Sequence, residues 1–179
     1  MRHTRLRTLL RLLLAAVTTA CGRREPAAAP AGCAEAAQTV RAPGELTARG
    51  GAWMVNGTPD TLWVEASVTN SGESRVEMRW DAMALRVQAW RAPDSAGVAA
   101  WDSQRETDPA TGRAMEYPSY ERADSLSPGV SIVHREWRRR VAVPALRGDT
   151  LPPGTYRIMA TLRLSGDSIR IPAGCVRLD

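Results

Sequence analysis

Apolar and polar residues alternate along much of the chain after residue 60. This period of two is expected of β-strands that bury one face in a core and leave the other face in water. In the first such run Leu62, Val64, Ala66 and Val68 fall on one face, and Trp63, Glu65, Ser67 and Thr69 fall on the other. The pattern predicts a strand with the first set facing inward.

The same alternation recurs in later segments, which turn sequences such as Asn70–Glu73 and Ser165–Asp167 separate. The predicted inward-facing residues are Val76, Met78 and Trp80; Leu85, Val87 and Ala89; Val133, Trp137, Val141 and Val143; Tyr156, Ile158, Ala160, Leu162 and Leu164; and Ile169 and Ile171. We expect about seven or eight short strands in an all-β, immunoglobulin-like antiparallel β-sandwich. A closed barrel is the alternative fold, and we predict no amphipathic helix in the mature chain.

The N-terminus has the layout of a signal peptide. Arg2, Arg5 and Arg7 precede a short apolar run over residues 9–17 that ends in small residues. A membrane-spanning helix needs about 20 predominantly apolar residues, whereas this run is shorter and contains Arg11. We therefore assign residues 1–20 to a signal peptide and expect an exported protein.

The end of this segment carries a second signal. Thr18, Thr19 and Ala20 lead directly into Cys21, and this stretch resembles the lipobox of bacterial lipoproteins, in which a small residue precedes the acylated cysteine. The resemblance implies that a lipid on Cys21 anchors the chain to a bacterial membrane, facing the periplasm or the exterior. An ordinary cleaved signal peptide is the alternative.

Residues 25–42 are rich in Ala and Pro and hold almost no large apolar side chain. Such a segment cannot bury enough apolar surface to offset the conformational entropy lost on ordering. We predict that residues 21–42 form a tether and that residues 43–179 form one domain, since that length suits a single hydrophobic core.

The chain has three cysteines, an odd number for an exported protein. Acylation of Cys21 would leave one pair, so we predict a disulfide between Cys33 and Cys175. Two unpaired thiols are the alternative.

The formal net charge of +5 overstates the charge of the mature protein. Four of the 24 basic residues lie within residues 1–20, so 20 basic residues face 19 acidic ones after cleavage. A nucleic-acid partner requires clustered positive charge. We therefore expect no nucleic-acid partner.

No convincing catalytic or metal-binding arrangement is visible. His134 is the one histidine that remains after signal cleavage, and a Ser-His-Asp triad would have to use it, but no nucleophile-elbow motif is present. We interpret His134 as a surface residue of a strand. Asp102, Glu106 and Asp108 have the wrong spacing for a calcium loop, so we interpret them as residues of a solvated loop and expect no metal or cofactor.

Two tryptophans and one loop are candidates for partner binding. Trp63 and Trp90 have the outward parity of their strands, whereas Trp80, Trp101 and Trp137 fit core positions. An outward tryptophan can contact a sugar or a protein through its apolar face, although packing under a neighbouring loop is the alternative. The segment from residue 105 to residue 119 is a candidate contact loop, and its charged residues include Arg105, Asp108 and Arg113.

Several short stretches occur in a characteristic order between residues 61 and 164. They are Val68 to Gly72, Val98 to Ser103, Leu126 to Gly129, Trp137, and Leu151 to Tyr156. In this order they resemble the BsuPI-type intracellular proteinase inhibitor family, whose members carry an immunoglobulin-like sandwich. The resemblance implies that fold and implies inhibition of a proteinase through an exposed loop.

Two functions follow as expectations. The first is a non-enzymatic cell-envelope lipoprotein whose sandwich serves protein-protein or structural contacts, because loops on a rigid sandwich suit such contacts. The second is a proteinase inhibitor of the BsuPI type, with a protease as the partner.

Overall fold

The structure is a computed structural model. It describes Cys33 and residues 38–58, 60–81, 85–92, 99–105, 111, 113, 120–148 and 151–179. Cys21 and the predicted signal peptide therefore lie outside the described residues. None of the helices in the described part has the length and apolar character that a membrane crossing requires.

The described residues contain eleven strands rather than the predicted seven or eight. They are β1 (Thr39–Arg41), β2 (Leu46–Val55), β3 (Thr61–Asn70), β4 (Val76–Asp81), β5 (Arg86–Arg91), β6 (Trp101–Asp102), β7 (Glu121–Leu126), β8 (Ser131–Ile132), β9 (Arg138–Ala142), β10 (Gly154–Leu164) and β11 (Asp167–Leu178). Two 3-10 helices span Ser103–Arg105 and Arg135–Trp137, and helix α1 spans Val143–Gly148.

The strands form two antiparallel sheets that pack as a sandwich, as predicted. Sheet A has the order β1-β2-β3-β8, with β9 also pairing with β3. Sheet B has the order β6-β5-β10-β4-β7, with β11 also pairing with β10. The longest hairpin, β10–β11, turns through Ser165 and Gly166, which both have positive φ and so match a tight two-residue turn.

The core lies between the sheets and consists of the inward-facing residues of each strand. The alternation along β3 is complete, because Leu62, Val64, Ala66 and Val68 are buried while their neighbours are half-buried. The predicted inward residues of β5 and β10 are likewise buried, and so are Trp80, Trp101 and Trp137. The period-two pattern therefore identified the core faces of these strands correctly.

Two buried polar side chains form hydrogen bonds to backbone carbonyls near the ends of strands. Tyr156 is buried near the start of β10, and its hydroxyl donates to the carbonyl of Pro152 at 2.6 Å. This link from a strand entry to the backbone just upstream is the tyrosine corner of immunoglobulin-like sandwiches. Asn70 is fully buried at the end of β3, where its Nδ2 donates to the carbonyls of Ser74 and Leu126 at 2.8 and 2.9 Å.

Part of the segment predicted as a tether, residues 21–42, belongs to the sandwich. Thr39–Arg41 pairs with β2, and Val40 packs against the core. The predicted disulfide between Cys33 and Cys175 is present, and Cys33 is buried. The folded unit therefore begins before residue 43, because the short β1 and the disulfide hold this segment against the sandwich.

The segment over residues 133–143 is also not one strand. Its predicted alternation is interrupted by the 3-10 helix that ends at Trp137, so that β9 begins only at Arg138. Val143 then starts α1, which buries Val143 and Leu146 and was not predicted. The inward residues Trp137, Val141 and Val143 reach the core from three different elements.

Candidate functional site

The outer face of sheet A carries a row of stacked side chains that crosses three strands. The strand register places Trp53 of β2 opposite Trp63 of β3, and Trp63 opposite Arg140 of β9. The two indole rings are parallel within 6°, with centroids 6.4 Å apart, and the guanidinium carbon of Arg140 lies 4.7 Å from the Trp63 ring centroid. We call these three residues the tryptophan row.

The row is open to solvent at its Trp53 end. Trp53 is 44% exposed, which is unusual for so large an apolar side chain, and Val55 on the same strand is also exposed. Trp63 is half-buried between Trp53 and Arg140. The outward parity predicted for Trp63 is therefore observed, but its ring is flanked by neighbours and Trp53 is the accessible member of the pair.

The same face carries an excess of positive charge. Arg41, Arg49, Arg138 and Arg140 are exposed on it, and Glu65 is the acidic residue among them. Arg138 donates to the Glu65 carboxylate, with Nε to Oε2 at 2.7 Å. In the part of the chain that the structure describes, the other three arginines have no ion-pair partner, so their guanidinium groups are available.

The remainder of this face is mostly small and hydroxylated. Its side chains include Thr39, Thr47, Thr61, Ser67, Thr69 and Ser131. The hydroxyls of Thr69 and Ser131 lie 2.6 Å apart across β3 and β8. Gly51 stands beside the row on β2 and has no side chain to cover it. The tryptophan row is thus an aromatic strip on a polar, basic surface.

Trp90, the other predicted contact residue, lies on the opposite side of the sandwich. It is half-buried on the outer face of sheet B, under the guanidinium of Arg170 at 5.6 Å. Its Nε1 is buried and has no hydrogen-bond partner in the described part. Trp63 and Trp90 therefore do not share one site.

The predicted contact loop is described only in part. Arg105 is exposed at the end of a 3-10 helix, and Arg113 is exposed as well. Asp108 lies outside the described residues, as does most of the segment from residue 106 to residue 119.

Asp102 is buried rather than in a solvated loop, which corrects the sequence interpretation. Its side chain is only 4% exposed, and its carboxylate accepts from Arg86 Nε at 3.1 Å and Nη2 at 2.5 Å. Gln88 Nε2 at 2.9 Å and the backbone N of Gln104 at 3.0 Å also donate to it. The pairing of β6 with β5 places Asp102 opposite Gln88, so this network fastens β6 to sheet B.

The balance of these contacts sets the ionisation of the pair. Burial by itself raises the pKa of Asp102, but the hydrogen bonds from Arg86, Gln104 and Gln88, together with the charge of Arg86, outweigh it and leave the pKa below its usual value. The hydrogen bond to Asp102 is the main cause of the raised pKa of Arg86. The pair is therefore ionised at neutral pH, and it is not available to a metal ion.

His134 is likewise not a surface residue of a strand. It precedes the 3-10 helix, its side chain is 24% exposed, and its ring stacks on Trp80 with centroids 4.2 Å apart. Trp137 meets the same ring edge-on at 4.5 Å. His134 Nε2 lies 2.8 Å from Asp124 Oδ2, and the indole Nε1 of Trp80 donates to that same oxygen.

This histidine and carboxylate resemble two members of a hydrolytic triad, in which a carboxylate orients the histidine. In the part of the chain that the structure describes, no hydroxyl or thiol hydrogen-bonds to His134. Asp124 Oδ2 instead links the imidazole of His134 to the indole of Trp80, a core residue. The described geometry is that of a structural polar link.

The described residues offer no cluster of three or more metal-ligating side chains. A cleft of about 280 Å³ lies beside the β10–β11 turn and is lined by residues that include Arg79, Asp81, Glu121 and Arg163. Its charges are matched, because Arg79 faces Glu121 and Arg163 faces Asp81, each pair at 3.8 Å. The cleft therefore has no excess of either charge.

Sequence reasoning missed Trp53, Arg49 and Arg140 as site residues. The alternation in β2 is weak because three successive inward positions, Ala48, Gly50 and Ala52, hold small residues between the larger Leu46 and Met54. A signal was nevertheless present, since Trp53 has the opposite parity to Leu46 and Ala48.

Comparison of the chain with protein-family models and with curated proteins finds no match.

Proposed function

We propose that the protein is a non-enzymatic cell-envelope lipoprotein whose sandwich binds a partner through the outer face of sheet A. The observation that carries this proposal is the tryptophan row, and above all the 44% exposure of Trp53. A large aromatic side chain that is exposed to water on a strand of a packed sheet is typical of a contact surface. Enzymatic turnover has no comparable support, because the histidine of the mature chain is engaged with Asp124 and two tryptophans.

The location in the envelope rests on the N-terminal sequence. The signal-like residues 1–20 and the lipobox-like Thr18 to Cys21 support export and acylation. The Cys33–Cys175 disulfide agrees with this, because disulfides persist in oxidising compartments outside the cytoplasm. A lipid at Cys21 would hold the domain close to a bacterial membrane, where the partner would be encountered.

A proteinase inhibitor of the BsuPI type is the second candidate. The stretches that resemble this family include Asn70, Asp102 and Tyr156, and all three lock strand ends in the sandwich. They support a shared fold more directly than a shared activity. Arg105 and Arg113 are exposed, so both are accessible to a protease.

Anchoring is tested by replacing Cys21 with Ser in the full chain expressed in a bacterium. We expect the wild type in the membrane fraction and C21S in the soluble envelope fraction, with an acyl mass on the wild-type N-terminal peptide only. Membrane retention of C21S, together with a wild-type peptide free of lipid, would show that Cys21 is not the anchor.

Partner binding is tested by affinity capture from detergent-solubilised envelopes. Trp53→Ala should reduce the recovery of the specific partner at least fivefold, because a few residues carry most of the binding energy of a contact surface and tryptophan is enriched among them. Tyr120→Ala is the matched control, since Tyr120 is 45% exposed directly before β7 of the other sheet. Equal recovery with W53A and wild type would refute the assignment of the face. Stoichiometric inhibition in a protease panel, lost in R105A or R113A, would favour the inhibitor instead.

A further inference from the structure

The geometry of the tryptophan row points to a polysaccharide with carboxylate groups as its ligand. We propose that sugar rings of such a chain stack on Trp53 while their carboxylates bind Arg49 and Arg140. The inference rests on the proposed function, because it names the ligand of the same face. It is carried by three observations on that face, namely the aromatic strip, the excess of arginine and the scarcity of aliphatic side chains.

The aromatic strip suits a flat ligand. A pyranose ring exposes C–H groups on its faces, and these pack on an indole ring. Trp53 is held on a strand and backed by Trp63, whose ring is parallel to it within 6°. Its orientation is therefore set before binding, and little side-chain entropy remains to be lost. The Trp53 ring lies against Gly51, since a β-carbon built at Gly51 would lie 3.4 Å from Cζ3 of the indole, in van der Waals contact with it.

The charge on the face selects an anion. Arg41, Arg49 and Arg140 have no ion-pair partner among the described residues, and Glu65 is already paired with Arg138. The face thus carries a net positive charge on a chain whose mature part is close to neutral. A guanidinium binds a carboxylate through two parallel N–H donors, which adds direction to the attraction.

The polarity around the row distinguishes a glycan from a protein or a lipid surface. The buried centre of a protein interface is more apolar than the rest of the surface and is depleted in charged residues. Six residues adjoin the row along its three strands, and two of them, Val55 and Ala142, are aliphatic; the other four are Gly51, Thr61, Glu65 and Arg138. The next residues along β3 on this face are Ser67 and Thr69. Val55, next to Trp53 on β2, is the exposed aliphatic residue of that strand. Hydroxyl and guanidinium groups instead match the hydroxyls and carboxylates of an acidic sugar chain.

The test is direct binding of the folded domain, with its disulfide intact, to oligomers of polygalacturonate, measured by calorimetry and by quenching of tryptophan fluorescence. The matched ligand is the same oligomer with its carboxylates reduced to hydroxymethyl groups. We expect binding of polygalacturonate that weakens as salt rises, and at least tenfold weaker binding of the reduced oligomer, because the reduced form has no anion for the arginines.

The variants separate the two kinds of contact. Trp53→Ala should weaken the binding of both oligomers about tenfold, a size in keeping with loss of one aromatic contact. Arg49→Gln should weaken only polygalacturonate, by about threefold to tenfold. Arg177→Gln is the control and should leave both unchanged, since Arg177 is an exposed arginine of sheet B. All three positions are exposed, so thermal unfolding should stay near that of the wild type.

Three outcomes would overturn the inference. One is the absence of polygalacturonate binding, another is equal affinity for the two oligomers, and the third is tighter binding of a single-stranded oligothymidylate, which also combines stacking with anions. Failure of the glycan test while W53A still loses a protein partner in affinity capture would leave the proposed function intact. Failure of both experiments would remove the function as well.

Discussion

The ion pair between Arg86 and Asp102 should respond differently depending on which partner is removed. The Asp102 side chain is 4% exposed, whereas the Arg86 side chain is 35% exposed. Arg86→Met would leave a buried carboxylate with only Gln88 and the Gln104 amide as donors. Asp102→Asn would leave a guanidinium that can turn towards water. We therefore expect the arginine replacement to destabilise the fold more.

The magnitudes follow from burial. Breaking a fully buried ion pair from one side costs about 3–5 kcal/mol. Exposure of a third of Arg86 reduces this, so we expect Arg86→Met to lower the free energy of unfolding by about 3 kcal/mol. Asp102→Asn keeps the shape and some hydrogen bonds, and should cost about 1–2 kcal/mol. The double variant should cost less than the sum by about 1–2 kcal/mol, because the two side chains contact each other.

The assay is urea unfolding at pH 7, followed by tryptophan fluorescence, for the wild type, both single variants and the double variant. Equal slopes of free energy against urea would confirm that the compactness of the two states has not changed. Glu65→Gln is a matched control, since the Glu65–Arg138 pair is on the surface and should contribute less than about 1 kcal/mol. A larger loss for Asp102→Asn than for Arg86→Met, or strict additivity, would refute this account of the network.

The same pair predicts a pH dependence. Because the pKa of Asp102 is lower in the folded protein than in the unfolded chain, its contribution to stability is fully present above the unfolded value of about 3.9. It is lost as the pH falls through the lower folded value. The difference in unfolding free energy between wild type and D102N should therefore be constant from pH 7 to pH 5 and shrink below about pH 4. A difference that grows on acidification would contradict the sign of the shift.

Three further predictions concern the frame of the sandwich. Gly50→Ala should lower the free energy of unfolding in urea by about 2 kcal/mol, because the new β-carbon would lie 2.9 Å from the β11 backbone. Gly51→Ala is the control and should change the free energy of unfolding little, because no atom would lie closer than 3.4 Å to its β-carbon. Equal effects of the two substitutions would disprove the close contact at Gly50. Asn70→Asp should cost at least about 3 kcal/mol by thermal unfolding, since a carboxylate would face two backbone carbonyls, and full wild-type stability would argue against those bonds. Replacing both Cys33 and Cys175 with Ser should lower the free energy of unfolding by up to about 5 kcal/mol by the loop-entropy relation, because the disulfide joins residues 142 apart. A loss below about 1 kcal/mol would show that the unfolded loop is constrained in other ways.

The success of the sequence pattern depended on the size of the inward-facing residues. In β3 the buried positions hold Leu62 and Val64, so the alternation is visible and the strand was predicted with the correct face. In β2 the sheets approach so closely that Gly50 meets β11 directly. The inward positions in the middle of β2 are therefore small, and small residues give little hydrophobic signal, although Leu46 and Met54 near its ends are large. For this reason the pattern did not predict β2, and Trp53, the more exposed tryptophan of the site, was not identified.

The misinterpretation of Asp102 and His134 has a different cause. A period of two tells which face of a strand a residue occupies, but it does not tell what lies over that face. Asp102 is on the outer face of sheet B and is nevertheless buried, because Arg86 and Gln88 of the neighbouring strand close around it. His134 is covered by Trp80, which is distant in sequence. Such contacts depend on strand order, which local patterns do not encode.

The residues that resemble the BsuPI-type family and the residues of the proposed site belong to two separate sets. Asn70, Asp102 and Tyr156 each satisfy buried polar groups at a strand end, so replacing any of them disturbs the fold before it alters a surface. Trp53 and Arg49 lie outside those stretches, and the buried polar network does not use them. A change in either can alter what the face binds at little cost in stability. A resemblance to that family can therefore concern the fold alone, while the residues on sheet A determine the bound partner. The affinity of W53A for a partner tests the function directly, whereas the family resemblance does not.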